Sequence, residues 1–437
     1  MNTLGSERRE MGSTGGLRAG QLPRLLPDRF GGGPAGLVEH LARYGRLPAV
    51  GRDVRWQERL VNEVAQAGLT GRGGAAFPTA RKLFAVASGR DAPVVIANGT
   101  EGEPASAKDK VLLAREPHLV LDGVTLAAEM VGARQAIVVV HDAVLDTVIA
   151  AVAERRRARY GRVRIKVMMA ADGFVAGEAS ALVNWAGHGV PLPTATPPRV
   201  SERGLDGRPT LVQNVETLAH LALIARHGAA WFRSLGTAAE PGSMLVTLIG
   251  AVRRPGVYEI EIGLPVSEVL DLAGGPDGPL GALLIGGYFG TWADPAAAAP
   301  LPFSAAGLRA VGAGPGAGLV AALPADSCGL AETARVARYL AAESAGQCGP
   351  CVFGLAAIAG ELASLAAGRG FDEGRLRRWL GQADGRGACH HPDGAVHMIR
   401  SALAVFGAEI SQHARGWCRG TRPPGVLPVP PPSRRAS

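Results

Sequence analysis

The segment VVIANGTEGEP, residues 94–104, decides how the fold is read. Val94-Val95-Ile96-Ala97 is a short apolar run rich in β-branched residues, the composition of a strand buried on both faces. It passes directly into Asn98-Gly99-Thr100-Glu101-Gly102-Glu103-Pro104, which sets amides and acids at the strand's carboxyl end, the edge where open α/β sheets bind ligands. Working outward, a helical pattern covers Leu119 to Val131, a strand Ala136 to Val140, a helix Val144 to Arg159 and a strand Val163 to Met169. This alternation predicts an α/β sheet. On their own, the acids of the loop read equally well as solvated loop residues.

Upstream, Gly71-Arg72-Gly73-Gly74-Ala75-Ala76-Phe77-Pro78-Thr79 precedes a helical pattern over Ala80 to Ala87. Three glycines in four residues let backbone N–H groups approach an anion or a flat ring, although most such loops are only turns. Downstream, from Ser243, the pattern changes to short strands at Met244–Gly250 and Arg254–Glu259, then a helical Pro265 to Leu272 ending at Gly274-Gly275. Beyond Pro324, helical periods cover Leu330–Glu343, Val352–Ala367, Asp372–Leu380 and Ala395–Ser411, a four-helix bundle. Polar, Gly-rich residues 1–35 and the Pro-rich residues 421–437 read as tails.

At 437 residues the chain has room for two to four domains. Hydrophobic residues at 47% and charged residues at 19% belong to a folding polymer. The net charge of +8 comes from scattered arginines without an aromatic-basic stripe, which argues against nucleic acid. No run of eighteen apolar residues exists and the N-terminus lacks a secretory signal, so the expectation is a cytoplasmic protein with no membrane span. Five cysteines include the pair Cys348-Gly349-Pro350-Cys351, which in such a compartment favours metal or redox use over a structural disulfide.

The blocks GLTGRGGAAFPTARK, ANGTEGEPASAKDK, GFVAGEASAL, RPTLVQNVETLA and ESAGQCGPCVFG occur in the order found in one family. From about Gly68 to about Phe406 the chain resembles the flavin-bearing, NADH-oxidising subunit of respiratory complex I and its hydrogenase and formate dehydrogenase relatives. The resemblance implies an α/β and α+β multidomain fold. A Rossmann-like FMN/NAD-binding α/β domain would span 36–240, a small β-grasp (SLBB-like) domain and linker 241–320, and a helical iron–sulfur-binding domain 321–420. GAVRRPGVYEI, residues 250–260, carries the likeness of the small domain, whose Gly286–Gly290 loop would pack or shield the flavin site.

The resemblance further implies FMN held by Gly71, Gly73, Gly74, Lys82, Asn98, Glu101, Gly177, Glu178, Gln213, Asn214 and Thr217. Phe77, Glu103, Phe174, Ala179 and Arg199 would border NADH or NADPH. Phe174 stands where the family usually has Tyr, Thr100 where it has Asp, and Ala179 where it has a second Glu. Loss of that Glu removes a charge that repels a 2′-phosphate, which predicts a weaker preference for NADH over NADPH. Thr196-Pro197-Pro198-Arg199 replaces the family's Lys-Pro-Pro-Phe, and Arg199 reads equally as a phosphate partner or a solvated charge.

For the [4Fe–4S] cluster the resemblance implies Cys348, Cys351 and Cys389, with Ala345 where the family has its remaining cysteine. Cys328, His390, Cys418, solvent or a small thiol are candidates for the fourth iron, with a three-iron cluster or no cluster as alternatives. The implied activity is an NAD(P)H dehydrogenase of the diaphorase type, in which no side chain need act as a catalytic acid or base. Electrons would leave to a partner protein on another chain: a ferredoxin-like or thioredoxin-like iron–sulfur protein, or the membrane redox subunit of a complex to which this chain is peripheral. The alternatives are a scaffold homologue that has lost part of both sites, and a flavoprotein with a different acceptor.

Overall fold

In the computed structural model, which describes residues 17–27, 33–48, 54–89 and 91–431, Val94–Gly99 (β1) is an interior strand of a parallel sheet. With β2 (Gln135–Val140), β3 (Arg164–Met169) and β4 (Thr210–Asn214) it runs in the order β3-β2-β1-β4. The chain moves outward through β2 and β3, then returns to β4 on the other side of β1. The connections therefore diverge between β1 and β4, opening a crevice at their carboxyl ends where doubly wound sheets take their ligands. Register sets Ala97 beside Gln213 and Asn98 beside Asn214 at that crevice. Helices Pro117–Val131 and Val215–Phe232 cover the sheet in close contact. A Cβ on Gly123 would lie 1.9 Å from the Leu218 carbonyl oxygen, so glycine is what lets these helices touch backbone to backbone.

The β-rich segment forms a second sheet from β5 (Ser243–Gly250), β6 (Gly256–Glu261), β7 (Leu280–Ile285), β8 (Thr291–Ala293) and β9 (Leu319–Pro324), in the order β6-β5-β9-β7-β8. β9 pairs parallel with β5, so the small domain extends to Pro324, past the expected limit at 320. The helical region contains Gly329–Ala342, Leu355–Ala366, Glu373–Ala383 and His391–Val405. The helix expected at Ala395–Ser411 begins earlier, at His391, and breaks at Phe406 before a short helix Gly407–His413.

Both expected tails need correction. Arg24 is buried, with its guanidinium 3.9 Å over the Trp231 ring and bonded to the carbonyls of Trp231 and Phe232 at 3.0 Å each. One Glu259 oxygen accepts the N–H groups of Arg24 and Leu25 at 2.8 and 2.7 Å, which stitches residues 24–25 to β6. Composition hid this, because the short run of residues 22–27 lies within a stretch that is otherwise Gly-rich and charged. At the other end, Glu332 accepts the N–H groups of Gly425, Val426 and Leu427, and the Tyr288 hydroxyl donates to the Pro428 carbonyl. Proline denied this segment regular structure but not packing, and Leu427 is buried. Residues 1–16, 28–32 and 432–437 lie outside the described residues.

Candidate functional site

The glycine loop closes on itself. Gly71 N–H donates to the Phe77 carbonyl and Thr79 N–H to the Leu69 carbonyl, each at 2.9 Å. Its tip rests on the start of helix Val215–Phe232, where Arg72 N–H donates to Thr217 Oγ1 at 2.9 Å. A Cβ on Gly73 would stand 3.3 Å from Asn214 Cβ, and Gly74 has φ +108°, strained for any other residue. Asn214 Oδ1 caps that helix by accepting Glu216 N–H at 2.9 Å, and Asn214 Nδ2 donates to Asp109 at 2.7 Å. Gln213 is buried and donates to Thr79 Oγ1 at 3.2 Å. Lys82 Nζ donates to the Val212 carbonyl at 3.1 Å, and among the described residues no carboxylate pairs with it. Burial lowers its pKa.

At the end of β1, Asn98 Nδ2 donates to the Gly177 carbonyl at 2.9 Å, tying the 174–177 turn to the sheet. Thr100 is buried, and its Oγ1 has no partner among the described residues. Glu101 turns away into a left-handed conformation, φ +47°, and its carboxylate accepts the N–H groups of Asp109 and Lys110 at 3.0 and 2.9 Å. Glu178 likewise caps helix Ala179–His188, accepting Ser180 and Ala181 N–H at 2.9 and 3.0 Å. Both acids are therefore committed to helix N-termini, where a carboxylate is favoured.

Beneath the crevice lies an ion group that sequence reasoning missed. Lys108 Nζ is 2.7 Å from Asp109 and 2.9 Å from Glu216, all three buried. Glu216 also accepts Leu245 N–H at 2.9 Å, so the group joins the two sheets. Burial opposes the Lys108 charge, but Asp109 and Glu216 overcome it and hold the ammonium above its usual range. Burial also pushes Asp109 up to about 6 against the pull of Lys108. The signal available in the sequence was Lys108-Asp109 at the head of a helix, with Glu216 close behind the cap Asn214.

The residues expected to border a nucleotide have separate surroundings. Phe77 is 38% exposed beside the glycine loop, with the Arg81 guanidinium 5.6 Å over its ring. Glu103 accepts Tyr288 N–H at 2.8 Å through one oxygen, while Oε1 is buried without a partner among the described residues, and burial raises its carboxyl to about 7. A Cβ on Gly287, φ +104°, would meet Glu103 at 2.7 Å, so the Gly286–Gly290 loop packs directly on this acid. Phe174 lies against Phe289, His391 and Tyr339, with centroids 4.8, 5.7 and 6.2 Å away. Ala179 opens its helix next to Glu178. Arg199 is exposed, and its guanidinium bonds to no described residue.

Cys348 and Cys351 flank the turn that opens into helix Leu355–Ala366. Cys351 is buried, its thiol pushed up to about 12 by burial and by the neighbouring Cys348 and Cys389. The three thiols thus share one neighbourhood, and Ser344, next to Ala345, hydrogen-bonds Cys351. Cys328 caps the opposite end of helix Gly329–Ala342, whose 14 residues span about 20 Å at 1.5 Å per residue. Ala345 lies just past the cap Glu343 at the far end, so Cys328 cannot reach its place. Cys418 and His413 sit with Cys328, which removes Cys418 as well. The His390 side chain is fully exposed and 3.3 Å from Asp393.

Comparison with known proteins agrees with this layout. The Nuo51 FMN-binding domain family matches residues 64–223, the SLBB domain 245–283, and the NADH-ubiquinone oxidoreductase-F iron–sulfur binding region 331–413. An NADH-quinone oxidoreductase-F protein of Rhizobium meliloti is 30% identical over 82% of this chain and 89% of its own. The chain belongs to the NADH-quinone oxidoreductase-F family. The oxidoreductase-F protein of Escherichia coli is 29% identical over 81% of this chain and 84% of that protein. An NAD+-reducing [NiFe]-hydrogenase in the H2-reduced state superposes with a TM-score of 0.76 at 33% identity, over 82% of this chain. This oxidoreductase-F relative spans 63% of that hydrogenase chain, under two thirds of its length.

The donor chemistry of this oxidoreductase-F relative fits FMN. Among the described residues, a cradle that a Cβ would narrow, a cation lacking a carboxylate and a buried Thr100 hydroxyl lacking a partner converge on one crevice. Three clustered thiols fit iron–sulfur ligation at three positions, and Ala345 offers nothing at the fourth. Among the described residues no helix is long and apolar enough to cross a membrane.

Proposed function

We propose that the chain oxidises NADH or NADPH on bound FMN and passes the electrons through a cluster on Cys348, Cys351 and Cys389 to a partner protein. FMN, when bound, supplies the conversion of a two-electron hydride donor into single-electron transfers. The chain's own part is to bind, orient and shield. Lys82 would provide the counter-charge for the phosphate, and the loop at Gly73 and Gly74, which carry no Cβ, would leave room for the ring. Asn98, Gly177, Gln213, Asn214 and Thr217 form the walls, while Glu101 and Glu178 hold those walls by capping their helices. Phe77, Glu103, Ala179 and Arg199 would face the nicotinamide nucleotide, and Phe174 would buttress that side from its aromatic cluster. Ala179 leaves room for a 2′-phosphate, which supports use of both nucleotides.

The observation that carries this reading is Lys82, which pairs with no carboxylate among the described residues, beside a glycine loop at the point where β1 and β4 diverge. Electrons leave to a ferredoxin-like or thioredoxin-like iron–sulfur protein or to a membrane redox subunit. Anaerobically purified protein is expected to be yellow, to bleach with NADH or NADPH, and to contain iron and sulfide. Protein that stays colourless with excess FMN and gives no binding heat would overturn the reading in favour of a scaffold.

A further inference from the structure

We propose that Cys328, His413 and Cys418 form a second metal site, for a zinc-class divalent cation, which pins the C-terminal strap to the helical region. The three ligand atoms lie within 4.8 Å of one another, the only such group of His, Cys, Asp or Glu among the described residues. Cys328 Sγ is 3.4 Å from His413 Nε2. A tetrahedral ion with bonds of about 2.3 Å to sulfur and 2.0 Å to nitrogen sets its ligands roughly 3.5–3.8 Å apart, so the group is close to the spacing it needs.

The surroundings are those of a metal ligand set. His413 is buried, and its Nδ1 lies 3.2 and 3.1 Å from the carbonyls of Leu365 and Ala366. Carbonyls only accept, so Nδ1 carries the hydrogen and the lone pair of Nε2 points at Cys328, the orientation that neighbouring carbonyls impose on metal-bound histidines. Cys328 is buried at the N-cap of helix Gly329–Ala342, where its sulfur accepts Ala331 N–H at 3.3 Å. Cys418 is exposed, which leaves the fourth position open to solvent.

The site also has a structural task. After Cys418 the chain doubles back: a Cβ on Gly420 would lie 2.8 Å from Cys328 N, and Thr421 and Arg422 N–H donate to the Asp326 carbonyl at 2.9 and 3.1 Å. The strap then continues to Glu332 and Tyr288. A bound cation would tie together the start of one helix, the end of another and this returning strap. It does not depend on the flavin reading, because the helix Gly329–Ala342 separates it from Cys348 and Cys351.

Metal analysis of the full-length protein, purified anaerobically and given one equivalent of zinc, tests the proposal. One zinc per chain is expected. It is lost in Cys418→Ser, with iron and flavin content unchanged, and kept in Cys348→Ser. Loss of zinc should also speed tryptic cleavage at Arg419. Wild-type protein that holds no zinc, zinc that survives Cys418→Ser, or a Cys328–Cys418 disulfide in place of metal would each overturn it. Cys418 is exposed, so its replacement by Ser leaves the fold intact.

Discussion

Replacing Lys82 by Met tests the flavin cradle by a combination of effects that a structural role would not produce. The lysine's only polar partner among the described residues is the Val212 carbonyl at 3.1 Å, and its ammonium is partly buried without a carboxylate. Met fills the same volume as the stem but carries no charge. A charge-assisted hydrogen bond to a phosphate contributes about 1.5–3 kcal/mol, so FMN affinity should fall roughly 12- to 150-fold. Stability of the flavin-free protein should change by less than about 1 kcal/mol, because the lost bond to Val212 is offset by removal of an unpaired buried cation. Titration calorimetry with FMN and with riboflavin separates the phosphate from the ring. Riboflavin, which lacks the phosphate, should bind the variant and the wild type alike. Unchanged FMN affinity, or an equal loss for riboflavin, would refute the assignment of Lys82 to the phosphate.

Lys108→Met should destabilise the protein by about 3–5 kcal/mol in denaturant unfolding, since it leaves Asp109 and Glu216 as uncompensated buried carboxylates; a loss under about 1 kcal/mol would contradict the ion group. Glu103 titrates near 7 when folded against an ordinary 4.5, so the folded state binds the extra proton between those values and stability falls as pH rises through that window. Glu103→Gln should therefore remove on the order of 1–3 kcal/mol of the decline between about pH 5 and 8 in flavin-free protein, and an unaltered pH profile would count against the burial. Ala179→Glu should lower NADPH turnover relative to NADH by about tenfold or more, equivalent to about 1.4 kcal/mol, and a constant ratio of kcat/KM would sink the specificity argument. Ala345→Cys should raise iron and sulfide per chain after anaerobic reconstitution and sharpen the reduced-cluster spectrum; identical spectra would mean that position 345 does not face the cluster.

Much of this was readable from residue order alone, and the failures share a cause. The alternation around Val94–Ala97 pointed to the parallel sheet because strand and helix periods are local properties. The crevice residues followed because Asn98 and Asn214 lie at the carboxyl ends of neighbouring strands. Side-chain direction was not legible. Glu101 and Glu178 lie at the crevice in sequence, yet each turns its carboxylate to a helix N-terminus, a choice made by backbone geometry beyond the motif. Phe174 rests against Phe289 and His391, which lie more than a hundred positions later in the chain. The same non-local pairing hid Arg24 over Trp231 and the cysteine–histidine group, since nothing near position 328 announces residues 413 and 418.

The junctions among the three units explain why the two redox sites keep one geometry. A broad apolar interface can slide at little cost, whereas backbone pressed against backbone cannot. A Cβ on Gly287 would lie 2.7 Å from Glu103 of the first unit, and inside the second unit a Cβ on Gly318 would lie 2.4 Å from the Leu245 carbonyl oxygen. The Glu216 carboxylate, held by Lys108, fixes Leu245 from the other side. On the helical side a Cβ on Gly394 would stand 2.2 Å from the Phe289 ring, which itself packs on Phe174 of the first domain and on His391, two residues beyond Cys389. The turn Phe174–Gly177 and the segment that carries Cys389 are therefore clamped to the same ring. Because the contacts between units are lost if one unit moves by the width of a methyl group, the distance from the Gly71–Gly74 loop to the Cys389 segment is set by steric contact, not by the flexibility of the linkers.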